Sequence, residues 1–134
     1  MGTQNPENEL KRYLSECTTP SPLADALKDK KLPFYVRNGA YRYAVDVLDT
    51  AMYVHPDAEN DPNYVPFMEM LALVLYKGDN LVQADAILDR LKLHLQERGL
   101  SPSPAAVSLE QSLRQSSLYR LQHTMEHTGV DFDA

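Results

Sequence analysis

The sequence has a single cysteine, Cys17, so no disulfide can form within the chain, and no Cys/His set has the spacing of a zinc finger. A reduced, cytoplasmic environment is the simplest reading. No apolar run approaches the length of a membrane span, and the opening MGTQNPENELKRYLSEC lacks the basic start and continuous apolar stretch of a signal peptide. Membrane insertion is not expected. Basic residues are in deficit: 13 Lys+Arg against 19 Asp+Glu give a net charge of −6. Binding to a phosphate backbone would need a local patch working against the overall field. The only dense basic cluster is KDKK, Lys28 to Lys31, and no nucleic acid is expected as a partner. A Gly-rich phosphate loop, a nucleophile elbow and a pair of acids in an apolar frame are also missing. Neither enzymatic activity nor a cofactor is expected.

What is present is helical patterning. A chain of 134 residues fits one domain, 1–134, and buries roughly two thirds of the surface its unfolded form exposes. Asn5 is placed to cap a first helix with Pro6 in its first turn, and Leu10, Tyr13, Leu14 and Cys17 follow at helical spacing. Ser21 caps a short helix over PLADALKDKK, after which Pro33 interrupts or restarts the chain. A helix is predicted from about Ala40 to Val54, with Tyr41, Ala44, Val45, Leu48, Ala51 and Met52 along one stripe and Pro56 closing it. DAENDPN reads as a polar loop, followed by a helix starting near 61–65 and running to Lys77. After the turn GDN, Leu81, Ala84, Leu88, Leu91 and Leu95 predict a helix over 81–98, with Gly99 at its left-handed cap. Pro104 starts a long last helix to about His127, with Leu109, Leu113, Leu121 and Met125 inward, and residues 128–134 form an acidic tail. No strand is predicted, so the fold class is all-α.

Two of these helices align. Setting Ala44 on Ala84 places Leu48 on Leu88 and Ala51 on Leu91, with the turns NGA and GDN at nearly equal distance before them. Small side chains let antiparallel helices approach closely, and a Leu one turn on fills the space beside the crossing.

On these residues the chain resembles the tetratricopeptide repeat family, in which a helix A and a helix B are joined by a Gly-containing turn. In a first unit Tyr35 matches the helix A aromatic, Gly39 the turn, Tyr41 the leading aromatic of helix B, Ala44, Leu48 and Ala51 its small, large, small series, and Pro56 the terminator. In a second unit Met68, Leu71 and Ala72 match helix A, Gly78 and Asp79 fall one residue early at the turn, and Ala84 and Leu88 match helix B. Leu81 replaces the leading aromatic, Leu91 the second small residue and Gln96 the terminal Pro, while Leu32 and Pro33 depart from helix A of the first unit. The resemblance covers residues 26–98 as two imperfect repeats and implies right-handed superhelical stacking of antiparallel hairpins, with the segment 104–127 capping the last.

The resemblance also implies a groove lined by the A helices. By alignment its residues are Ala26, Asp29, Val36 and Arg37 in the first unit and Glu69, Leu73, Tyr76 and Lys77 in the second. Members that grip the C-terminal carboxylate of heat-shock chaperones use Lys, Arg and Asn there; Asp29, Pro33, Glu69 and Leu73 stand in those places, which argues against such a clamp. Val36, Leu73 and Tyr76 suit an apolar or amphipathic segment, and the same aromatics suit packing against the N-terminal helix equally well. The expected function is a protein-binding adaptor or chaperone, and size and acidity are similar to those of the small repeat-containing chaperones of bacterial secretion systems. The alternative is a scaffold subunit or homo-oligomer that buries the apolar faces of residues 6–17 and 104–127, including Leu109, Leu113 and Met125. His123, Glu126 and His127 place two imidazoles one turn apart, a pattern expected to be a solvated face rather than a metal site. Core packing is expected to explain most of the set Tyr35, Tyr41, Tyr43 and Tyr53.

Overall fold

The computed structural model describes residues 5–116 and 118–122 and is all-helical over them, with no strand among the described residues. The first helix, α1 (Pro6–Glu16), starts as the sequence predicts: Asn5 Oδ1 accepts hydrogen bonds from the backbone N–H groups of Glu7 at 2.9 Å and Asn8 at 3.2 Å, and Pro6 takes the first position. Ser21 caps α2 (Pro22–Leu27) in the same way, its hydroxyl accepting from Ala24 N at 3.2 Å.

The segment 22–37 is not one continuous helix. The helix predicted over PLADALKDKK stops at Leu27, and α3 (Leu32–Arg37) begins after a tight turn in which Asp29 Oδ1 accepts from Lys31 N at 2.8 Å. Pro33 lies in the first turn of α3, where its missing N–H has no helical partner to lose. The short helix expected over 22–31 is thus cut back to Pro22–Leu27, and the chain restarts as a helix around Pro33, one of the two outcomes expected there.

Helices α4 (Tyr41–Tyr53), α5 (Tyr64–Lys77) and α6 (Leu81–Glu97) follow the predicted boundaries closely, with a short 3₁₀ turn (Ala58–Asn60) inside the polar connection. The last helix is shorter than predicted: α7 (Pro104–Arg114) ends at Arg114. Ser116 breaks it, because its hydroxyl accepts from Tyr119 N at 3.3 Å and its carbonyl from Arg120 N at 3.2 Å, starting a separate helical stretch over 118–122. In that stretch Leu121, expected inward, is 58% exposed, while the continuation from 123 to His127, with Met125, and the tail 128–134 lie outside the described residues.

Helix α5 is the centre of the molecule. It packs against α1, α2, α4, α6, α7 and the 3₁₀ turn, and eleven of its fourteen residues are buried. A helix surrounded by others needs apolar side chains all round, which is why YVPFMEMLALVLY shows no single stripe. Around it the core joins Leu10 and Tyr13 of α1, Leu23 and Leu27 of α2, Ala44 and Leu48 of α4, Ala84 and Leu91 of α6, and Leu109 and Leu113 of α7.

Turn hydrogen bonds relate the two central hairpins residue by residue. After α3, Ala40 N donates to Tyr35 O at 2.8 Å and Asn38 N to Phe34 O at 3.1 Å; after α5, Asn80 N donates to Leu75 O at 2.8 Å and Gly78 N to Val74 O at 3.0 Å. The left-handed residue is Gly39 in the first turn, with φ 71°, and Asp79 in the second, with φ 64°. The spacing matches that of Ala44 with Ala84 and Leu48 with Leu88, all four buried. So the turns are in register, and the glycine that stands one residue early in the sequence, Gly78, is not the left-handed residue of its turn.

Candidate functional site

The predicted groove residues divide into two groups. Val36, Glu69 and Leu73 are buried, with Glu69 only 3% and Leu73 1% exposed, whereas Arg37 is exposed and Ala26, Asp29, Tyr76 and Lys77 are half-buried. Helix α1 packs on both α3 and α5, and so reaches both halves of the predicted site. At one end the Arg37 guanidinium donates to Glu7 Oε2 at 2.6 Å, which holds the Glu7 carboxyl below the usual carboxylate range. At the other, Tyr13 is buried beside Glu69, whose charge helps to raise its phenol.

Glu69 is a polar junction inside the core. Its carboxylate accepts a hydrogen bond from Ser103 Oγ at 2.9 Å, and that same oxygen caps α7 by accepting from Ala106 N at 3.1 Å. One carboxylate on α5 therefore meets α1 and ties down the entry to α7. Burial pushes its pKa above the ordinary value, and the hydrogen bond from Ser103 and the neighbouring Tyr13 hydroxyl oppose that shift without cancelling it. Burial likewise raises the Tyr13 phenol, reinforced by the charge of Glu69.

A second polar junction was not legible in the sequence. Within the segment read as a plain polar loop, Asp61 and Asn63 are buried. Asp61 accepts from Asn63 N at 2.8 Å and Leu23 N at 3.4 Å, and Asn63 Nδ2 donates to Thr19 O at 2.6 Å and Ser21 Oγ at 2.8 Å. His55 Nε2 stands 3.3 Å from Asp61 Oδ2, within ion-pair range when protonated but not aligned as a hydrogen bond. These bonds fasten the connection between the hairpins to the α1–α2 linker.

Asp85 and Asp89 of α6 and Glu110 of α7 bring carboxylate oxygens within 4.8 Å of one another. Their charge is already met by neighbours: Lys92 Nζ is 2.7 Å from Glu110, Arg114 is 3.4 Å from both Asp85 and Glu110, and Tyr119 donates to Asp85 at 3.0 Å. Chemically this is a clasp between α6 and α7. The pair His123 and His127, with Glu126, lies outside the described residues.

The tyrosine set also divides. Tyr35 and Tyr41 pack against the core as expected, whereas Tyr43 and Tyr53 are exposed, contrary to the expectation that core packing explains most of the set. Leu109 and Leu113, expected at an interface in the scaffold reading, are buried inside this chain. Among the described residues no helix is long and apolar enough to cross a membrane. Comparison with family models, curated proteins and solved structures returns no match.

Proposed function

We propose that the chain is a non-enzymatic protein-interaction module of the tetratricopeptide type, an adaptor or chaperone whose A-helix face holds an amphipathic helix. The observation that carries this reading is the shared turn of the two hairpins, hydrogen bond for hydrogen bond, at a fixed offset along the chain. Gly78 lies against Tyr41, which sets the two turns side by side as stacked repeats require. The nature of the ligand is suggested by α1, an amphipathic helix that lays Leu10 and Tyr13 against this assembly. Burying those two side chains stabilises the docked helix by about 1.5–3 kcal/mol each. In the isolated chain α1 fills the face, and a partner helix binds by replacing it, next to the accessible Tyr76 and Lys77.

Peptide exchange tests this. A labelled peptide of residues 5–18 should bind a Leu10→Ser variant, whose own α1 is loosened, more tightly than the unaltered chain, and Tyr76→Ala should weaken that binding. If neither folded protein binds the peptide, the reading fails.

One observation favours the second reading, an assembly subunit: Leu93, Leu100 and Val107 are exposed on α6, the following link and α7. Sedimentation over a concentration range, repeated with Leu93→Ser, distinguishes it, since only a constitutive oligomer would be dissociated by that substitution.

A further inference from the structure

The A-helix face is not the only surface with partner chemistry. On α3 and the first turn of α4, the rings of Phe34 and Tyr35 lie 6.2 Å apart and those of Tyr35 and Tyr43 5.6 Å apart. Tyr35 is half-buried against the core, but Phe34 is 59% and Tyr43 58% exposed. Single exposed apolar residues are ordinary; two solvent-exposed rings that each pack on the same half-buried ring, Tyr35, form a patch.

The same stretch inverts the charge of the chain. Residues 28–43 contain five of the thirteen Lys and Arg residues and one of the nineteen acids, Asp29. Arg37 is engaged with Glu7, but Lys28, Lys30, Lys31 and Arg42 are exposed and form no ion pair among the described residues. Lys31 stands one turn before Tyr35, whose N–H donates to its carbonyl at 2.9 Å, and Arg42 adjoins Tyr43. The cations therefore flank the rings at the start of α3 and the start of α4.

We propose that this corner docks an acidic segment of a partner protein that carries a large apolar side chain, the rings supplying contact area and Lys30, Lys31 and Arg42 meeting its carboxylates. Charge complementarity selects this occupant. A chain of net charge −6 with a local excess of cations here repels an acidic partner over the rest of its surface and attracts it at this corner, which fixes where and in what orientation it lands. A nucleic acid strand would have to carry its phosphates on past the patch along an acidic surface, whereas a short peptide needs the patch alone. The site is independent of the A-helix reading, because Phe34, Tyr43, Lys30 and Lys31 are not among the residues assigned to that face.

Fluorescence anisotropy with a short labelled peptide of Asp and Glu around a central Leu-Phe pair tests the proposal on the full chain. We expect saturable binding that weakens with added salt, falls about tenfold in the double variant Lys30→Glu/Lys31→Glu, and falls about fivefold in Phe34→Ser/Tyr43→Ser. Circular dichroism checks that each variant folds, and the two pairs test the two halves of the claim separately. The proposal is overturned if the peptide does not bind, if a Lys-substituted version binds equally well, or if both folded double variants bind as the unaltered chain does. It is also overturned if oligouridylate displaces the peptide from a tighter complex, or if the chain self-associates and Phe34→Ser/Tyr43→Ser abolishes that association, since a second copy would then be the occupant.

Discussion

Gly78 is held against Tyr41: a β-carbon added at Gly78 would fall 3.1 Å from that of Tyr41 and 3.3 Å from the carbonyl oxygen of Val74. Neither neighbour is the free end of a flexible side chain. Gly78→Ala should therefore destabilise the fold by about 1–3 kcal/mol, the usual cost of forcing an extra carbon into a packed site. At the next residue the requirement is different. Asp79 holds a left-handed conformation that glycine adopts without strain. Asp79→Gly should stabilise by roughly 0.5–1 kcal/mol, part of the relief being offset by the freer unfolded chain. Urea unfolding of both variants measures the pair; the reverse order would mean that the close approach and the left-handed residue are wrongly assigned.

The junction at Glu69 makes a pH prediction. Its folded-state pKa is raised, so between the ordinary carboxylate value and that higher one the folded chain binds more protons than the unfolded chain. Glu69 thus favours folding below the ordinary range, and that contribution is lost as pH rises through the folded value. Glu69→Gln keeps the shape and an acceptor for Ser103 while removing the charge. Its unfolding midpoint should exceed that of the unaltered chain at neutral pH and converge with it in acid. Parallel curves across the range would show that the carboxylate carries no net burial cost.

His94 should act in the opposite sense. Its ring is buried 4.4 Å from that of Tyr64, Nδ1 has no hydrogen-bond partner, and burial, aided by the nearby Arg98 charge, lowers its pKa. As pH falls through the ordinary histidine value toward the lower folded one, the unfolded chain gains a proton first and stability is lost. His94→Phe preserves the ring contact and removes both the unpaired nitrogen and the titration. Thermal melts from pH 7 downward should show a smaller loss for the variant than for the unaltered chain, and an equal loss would assign the acid sensitivity elsewhere.

The Asp61–Asn63 junction predicts a position effect within one loop. Asn63→Ala removes the donor to Thr19 O and Ser21 Oγ and should cost about 1–3 kcal/mol, the net worth of two part-buried hydrogen bonds. Asn60→Ala, three residues earlier on the exposed side and bonded only to Asp57 Oδ1, should stay within about 0.5 kcal/mol. Equal effects measured by denaturant titration would place Asn63 at the surface.

What the sequence made legible was local. Ala44 with Ala84 and Leu48 with Leu88 are readable because close helix crossings demand small and then large residues at fixed spacing, and the Asn5 and Ser21 caps because capping acts over three residues. Repeat alignment fixes which face of α5 Glu69 and Leu73 occupy, but does not choose between an open groove and contact with the N-terminal helix, which the sequence allows equally. That contact joins segments far apart in the chain and leaves no periodic trace. Asp61 and Asn63 resemble solvent-facing turn residues, since their acceptors and donors, Thr19, Ser21 and Leu23, lie in another segment. Ser116 was read through because a single serine does not disturb a helical pattern; its role as a new cap emerges only with the break at Arg114.

The position of α1 bears on the birth of the molecule. It leaves the ribosome before α5, against which Leu10 and Tyr13 pack and which follows dozens of residues later. During synthesis these two side chains have no place to dock, and the contact they finally make is among the longest in reach that the chain must close. α1 is thereby among the last helices to settle, and for that interval its apolar face is open to whatever chaperone or neighbouring chain meets it.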